Sequence, residues 1–173
     1  MTWLGRITCG FVGAMLAFYL LIVLWSLPVI SADADGLAPF DLRPFGYDLD
    51  AARAFLVALG EAGLAQYLGP QAVLDRVFPA LLGVTLVLCF WQLFPRRWAI
   101  GLGALALAGM WLDWQENIAV ADLLKLGADG IDEEVVSIAA LFTTLKSAAV
   151  TVALCALLFG VVRAVWQRRG SVE

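Results

Sequence analysis

The chain has 173 residues, 62% of them hydrophobic and only 15% charged, and its mean hydropathy is +0.89. A soluble domain of this length is about 45–50% apolar and about 25% charged. The composition therefore excludes a water-soluble globular fold, a disordered chain, a nucleic-acid binder and a secreted disulfide scaffold, and leaves an integral membrane protein.

A bilayer core of about 30 Å takes about 20 apolar residues as a helix. The first such stretch runs over residues 8–30 and carries no charge. Ala32-Asp33-Ala34 after it has the small-x-small form of a signal-peptide cleavage site. The apolar run exceeds the about 7–15 residues of such a peptide, so a retained anchor is expected.

Residues 48–75 form an outer helical segment. Gly36, Pro39 and Pro44 break the chain before it, and Asp48 or Asp50 caps a helix over about 51–67. Phe55, Leu56, Leu59 and Leu64 make that helix apolar, but Arg53 and Glu61 are too polar, and Gly60 and Gly63 too interrupting, for a span. It is expected to lie on the membrane surface or cap the helices. Gly69-Pro70 is expected to end it, with a short helix from Gln71 leading on.

The second span covers residues 77–94, with Pro79 tolerated in its first turn. A tight turn holding Arg96 and Arg97 leads to the third span, residues 98–119, and an acidic turn leads to the fourth, residues 135–162. In that turn Asp132, Glu133 and Glu134 complement the positive end of the fourth helix. The spacing lacks the ligand pattern of a calcium loop.

Four spans put Arg6, Arg96, Arg97, Arg163, Arg168 and Arg169 on one side, and nearly all the acids from Asp33 to Glu134 on the other. The positive-inside rule then makes both termini cytoplasmic. Trp3, Trp25, Trp91, Trp98, Trp111, Trp114 and Trp166 fall mostly near span ends, as interfacial anchors do.

There is no histidine, which removes the commonest metal ligand and general base. Cys9, Cys89 and Cys155 lie in apolar runs without close spacing, and read as small buried hydrophobes rather than a redox or zinc site. Neither a metal nor a cofactor is expected.

The informative residues are charges within apolar runs. Asp113, Glu116 and Asn117 share one face of the third span, continued by Gly109 and Ala106. Small residues mark close helix approach, so this face is expected to look inward. The fourth span carries Thr143, Lys146 and Ser147, with Lys146 on the order of 16 Å deep. Side chains lean toward helix N-termini, so groups on these antiparallel helices converge. The expectation is a buried pair of Lys146 with Asp113 or Glu116, with Asn117, Thr143 and Ser147 satisfying the remaining groups. Asp75 joins from the top, and Glu61 and Tyr67 cover the cluster if the outer helix folds over it. A network that only fixes helix register is the structural alternative; intramembrane ionisable groups are functional candidates.

Gly46-Tyr47, Leu59-Gly60-x-x-Gly63, Tyr67, Asp75-x-x-Phe78-Pro79, Asp113-x-x-Glu116-Asn117 and Thr143-x-x-Lys146, in this order, resemble the pattern of a group of small uncharacterised bacterial four-span membrane proteins. The resemblance covers residues 45–150 and implies a bacterial inner membrane, with no activity attached. A looser similarity to four-span sterol-isomerase-like folds stops at the missing histidine.

The expected fold is an all-α membrane four-helix bundle with a helical outer cap, residues 1–173 forming one membrane domain. The expected function is non-enzymatic: binding a lipid or amphipathic ligand, or serving as an accessory subunit, through the outer polar cluster. The small-residue pairs Gly10/Ala14, Gly13/Ala17 and Ala104/Ala108 would suit another membrane protein or a homo-oligomer. The alternatives are a small ion- or proton-coupled transporter and a carboxylate-dependent intramembrane enzyme.

Overall fold

A computed structural model of the protein describes residues 2–169, with the side chains of Arg168 and Arg169 outside the described set. It is all-helical, with no strand among the described residues. Helix α1 (Trp3–Leu21) passes through a π-turn (Ile22–Ser26) into α2 (Leu27–Asp33), making one rod. A short 3-10 turn (Phe40–Leu42) precedes α3 (Leu49–Ala58). Helix α4 (Glu61–Gln66) runs through a second π-turn (Tyr67–Gln71) into α5 (Ala72–Leu93). Two long helices complete the chain, α6 (Arg96–Gly130) and α7 (Glu133–Arg169).

Caps explain several of these boundaries. Asp48 accepts from Ala51 N at 2.8 Å and starts α3, as its side chain predicts. Asp132 accepts from Val135 N at 3.0 Å and starts α7. Gly127, at φ 68°, breaks the regular course of α6.

The outer segment departs from the single helix expected over 51–67. It divides at Leu59 and Gly60, where Asp33 intervenes. Gly63 N donates to Asp33 Oδ2 at 2.6 Å and Gly60 N to the Asp33 carbonyl at 3.3 Å. Asp33 thus serves the open first turn of α4 from thirty residues away. A Cβ on Gly60 would stand 2.8 Å from Asp33 Oδ2, and one on Gly63 2.6 Å, so both glycines are needed for the approach. Pro70 does not end the helix either. It sits inside the π-turn, whose wider register absorbs a residue that has no N–H to give. Pro79 lies buried within α5 rather than in its first turn.

Three helices are long and apolar enough to cross a membrane: Trp3–Asp33, Glu61–Leu93 and Glu133–Gln167. Four were expected. Helix α6 falls short by composition because Asp113, Gln115, Glu116 and Asn117 interrupt its middle. It packs against α5 on one side and α7 on the other, and α1 lies along α5. Helices α5 and α7 also touch, so α5, α6 and α7 pack mutually around Leu86, Phe90, Ala106 and Ala153, and α1 joins them through α5.

Gly109 and Ala106 are buried as predicted, and a Cβ on Gly109 would meet Ala149 and Val150 of α7 at 3.6 Å. The other small-residue pairs face outward: Gly10, Gly13, Ala14, Ala17, Ala104 and Ala108 are all exposed. Cys9 and Cys155 are exposed too, and only Cys89 is half-buried, so the expectation of buried cysteines is corrected. On α1 and α7 the surface itself is apolar, and a small hydrophobe costs nothing there.

One end of the helix assembly is basic. Thr8 accepts from Gln92 at 2.7 Å, and the Arg163 guanidinium donates to the Leu93 carbonyl and lies 5.2 Å over the Phe94 ring. Arg96 and Arg97 begin α6 at this end. The opposite end carries the cap, whose core joins Phe40, Phe55 and Tyr67 to Leu123 of α6 and Val136 of α7. Arg43 lies over Phe40, Tyr47 and Phe55 at 5.5–5.8 Å and donates to the carbonyls of Ala38 and Ala51. Its burial there pulls the guanidinium below its ordinary value. Arg53 donates to the Ile131 carbonyl at 3.2 Å, tying α3 to the turn before α7.

Candidate functional site

The charged residues picked out by helical spacing do converge. The Lys146 ammonium contacts the Glu116 carboxylate and lies 3.9 Å from Asp113 Oδ2. Glu116 is completely buried, while the side chains of Lys146 and Asp113 are only 14% and 13% exposed. One cation thus answers two carboxylates, and Glu116 Oε1 has no hydrogen-bond partner.

The surrounding groups come from the cap as well as the long helices. Gly46, at φ 84°, presses the chain onto α7, where an added Cβ would stand 3.1 Å from Thr144 Oγ1. This brings the buried Tyr47 hydroxyl beside Thr143 and Glu116, and burial raises the Tyr47 phenol above its ordinary value. Thr143 is fully buried and donates to the Ala139 carbonyl at 3.1 Å. Ser147 is half-buried, and no hydrogen bond joins it to the cluster, contrary to its expected part. Glu61 is exposed and covers nothing, whereas Tyr67 does fold over, its hydroxyl donating to Asp41.

Asn117 is the joint of the site. Its amide donates to Asp113 Oδ1 at 3.2 Å and to the Asp75 carbonyl at 2.9 Å. Asp75 also accepts from Gln71 Nε2 at 2.7 Å. Trp114 adds a second tie between α6 and α5, donating to the Arg76 carbonyl at 3.1 Å. Helical spacing picked out Asp113, Glu116, Asn117, Thr143 and Lys146, and Asp75 followed from its place just before the second span. Spacing missed Asp41 and Gln71, which sit on irregular or π-turn backbone where no periodicity points to them.

Beside this network lies a pocket of about 500 Å³, between the start of α5 and the half of α6 nearer the cap. Buried Tyr67 and half-buried Asp41, Asp75 and Asn117 form its polar side. Leu68, Ala72, Ile118, Ala121 and Leu124 supply apolar walls, and Arg76, Asp122 and Lys125 stand at the exposed rim. Lys146, Glu116 and Asp113 do not line it. The paired charges are therefore a closed network, and the open space is next door, with Asn117 touching both. Of the carboxylates gathered here, Asp113 and Glu116 share Lys146, while Asp41 and Asp75 accept from the neutral donors Tyr67 and Gln71. No protein family, curated protein or solved structure matches this chain.

Proposed function

We propose that the chain is a non-enzymatic integral membrane protein that holds a lipid or other amphipathic ligand in the pocket between α5 and α6. In this reading four segments cross a bacterial inner membrane: the Trp3–Asp33 rod, α5, α6 and α7. Both termini are cytoplasmic, in line with the basic end of the helix assembly.

The observation that carries the reading is the pocket's make-up and level. Its size falls in the range of small-molecule sites, about 300–1,000 Å³. Along α6, Trp98 to Trp114 covers about 24 Å, and the lining continues about 16 Å further to Lys125. In a core of about 30 Å the pocket starts among acyl chains and ends among headgroups. Apolar walls with a polar floor and rim match that gradient. Nearer the basic end, the helices meet through Leu86, Phe90, Ala106 and Ala153, which weighs against a proton-coupled path from Asp113. The outward-facing small residues of α1 and α6 keep an accessory-subunit role as the second reading.

Filling the pocket tests the first. Ala121 is half-buried on its α6 wall. Native mass spectrometry of the detergent-solubilised protein is expected to show bound phospholipid, lost in Ala121→Trp with little change in thermal unfolding. An empty wild-type protein, or lipid retained equally by Ala121→Trp, would count against the reading.

A further inference from the structure

The charges around the pocket are unevenly answered, and a role for them in recognition rests on the pocket being a binding site. Asp113 and Glu116 share Lys146, and Asp122 pairs with Lys125. Asp41 and Asp75 both line the pocket, and neither has an ion-pair partner among the described residues. Each is held by a neutral donor, Tyr67 or Gln71. Gln71 is itself fully buried, and its amide oxygen has no hydrogen-bond partner. This corner of the fold has carboxylate and amide oxygens to spare, and it lacks donors and positive charge.

The rest of the lining narrows what would supply them. A hydrated metal ion would gain nothing from Leu68, Ala72, Ile118 and Ala121, whereas an apolar tail would. Tyr67 and Trp114 add two aromatic rings to the same pocket, and ring faces attract organic cations. We propose that the pocket recognises the ammonium of an amine-bearing amphiphile, with Asp41 and Asp75 as its counter-charges. An anionic headgroup meets two carboxylates there and is disfavoured. Arg76, on the exposed rim beside Asp75, suits the phosphate when the amphiphile is an aminophospholipid. A soluble long-chain amine presents the same ammonium without that phosphate.

Native mass spectrometry of the full-length protein, titrated with phosphatidylethanolamine and phosphatidylglycerol of identical chains, tests this. The first is expected to bind about tenfold more tightly. Asp41→Asn and Asp75→Asn each reduce that preference, Asp75→Glu restores it, and Asp129→Asn, at an exposed acid that does not line the pocket, leaves it intact. Equal binding of the two lipids, or a preference untouched by both Asn variants, overturns the proposal. If Ala121→Trp still removes lipid in that case, the pocket stands and only the ammonium assignment falls; if it does not, both fall. Dodecylammonium separates the sources. Displacement of phosphatidylethanolamine that Arg76→Gln makes easier supports the phospholipid, and tight dodecylammonium binding with no phosphatidylethanolamine binding supports a soluble amine.

Discussion

The Lys146 side chain is 14% exposed and that of its partner Glu116 is fully buried. Removing one member of a buried pair strands the other, at a cost of about 3–5 kcal/mol, while replacing the whole set by neutral groups costs far less. Lys146→Met is therefore expected to destabilise the protein by about that amount. The triple variant with Asp113→Asn and Glu116→Gln recovers most of it. Unfolding in detergent, followed by circular dichroism, measures both. A single variant within about 1 kcal/mol of wild type would show that the pair does not hold the helices. This convergence was legible from offsets of three and four on two apolar helices, because helix geometry alone sets it. The Tyr67–Asp41 contact was not. It joins a π-turn to a 3-10 turn, and neither backbone has a period that a residue pattern can reveal.

Between helices, the least legible contact is that of Asp33 with Gly60 and Gly63. The two glycines read as interruptions, and Asp33 as part of a possible cleavage site at the end of a span. Their meeting depends on how the Trp3–Asp33 rod lies against α4, which nothing local encodes. Gly63→Ala would push its Cβ against both Asp33 Oδ2 and Leu59 Cδ1, at 2.6 Å each. The Asp33 carboxylate must then swing away and release the α4 N-terminus. The same bond is lost in Asp33→Ala, a change of cap worth about 0.5–2 kcal/mol. Both single variants are expected to unfold earlier by similar amounts, and the double variant only slightly earlier than either. Fully additive losses would mean that the two residues act separately. The π-turn at Pro70 carries the same lesson, because a residue read as a helix end is absorbed by a change in helix register.

For the molecule as a whole, connectivity settles more than composition does. Helix α6 is the least apolar of the long helices, yet it links the end of α5 to the start of α7 and packs along both. If α5 and α7 cross a bilayer, α6 crosses with them. Its polar residues are turned to neighbours rather than lipid: Asn117 and Trp114 to the backbone of α5, Glu116 to Lys146 of α7. A hydropathy average counts these groups as though they faced the membrane, and so undervalues the helix. The consequence is a strict alternation of sides. In that arrangement Arg97, exposed at the start of α6, and Asp129, exposed near its end, would face opposite compartments. With Cys9, Cys89 and Cys155 replaced by Ser, Asp129→Cys is expected to react with a membrane-impermeant maleimide in intact spheroplasts. Arg97→Cys is expected to react only after permeabilisation. Labelling of both from outside would place the two ends of α6 on one side, and with them every argument that sets the pocket at the outer headgroup level would fail.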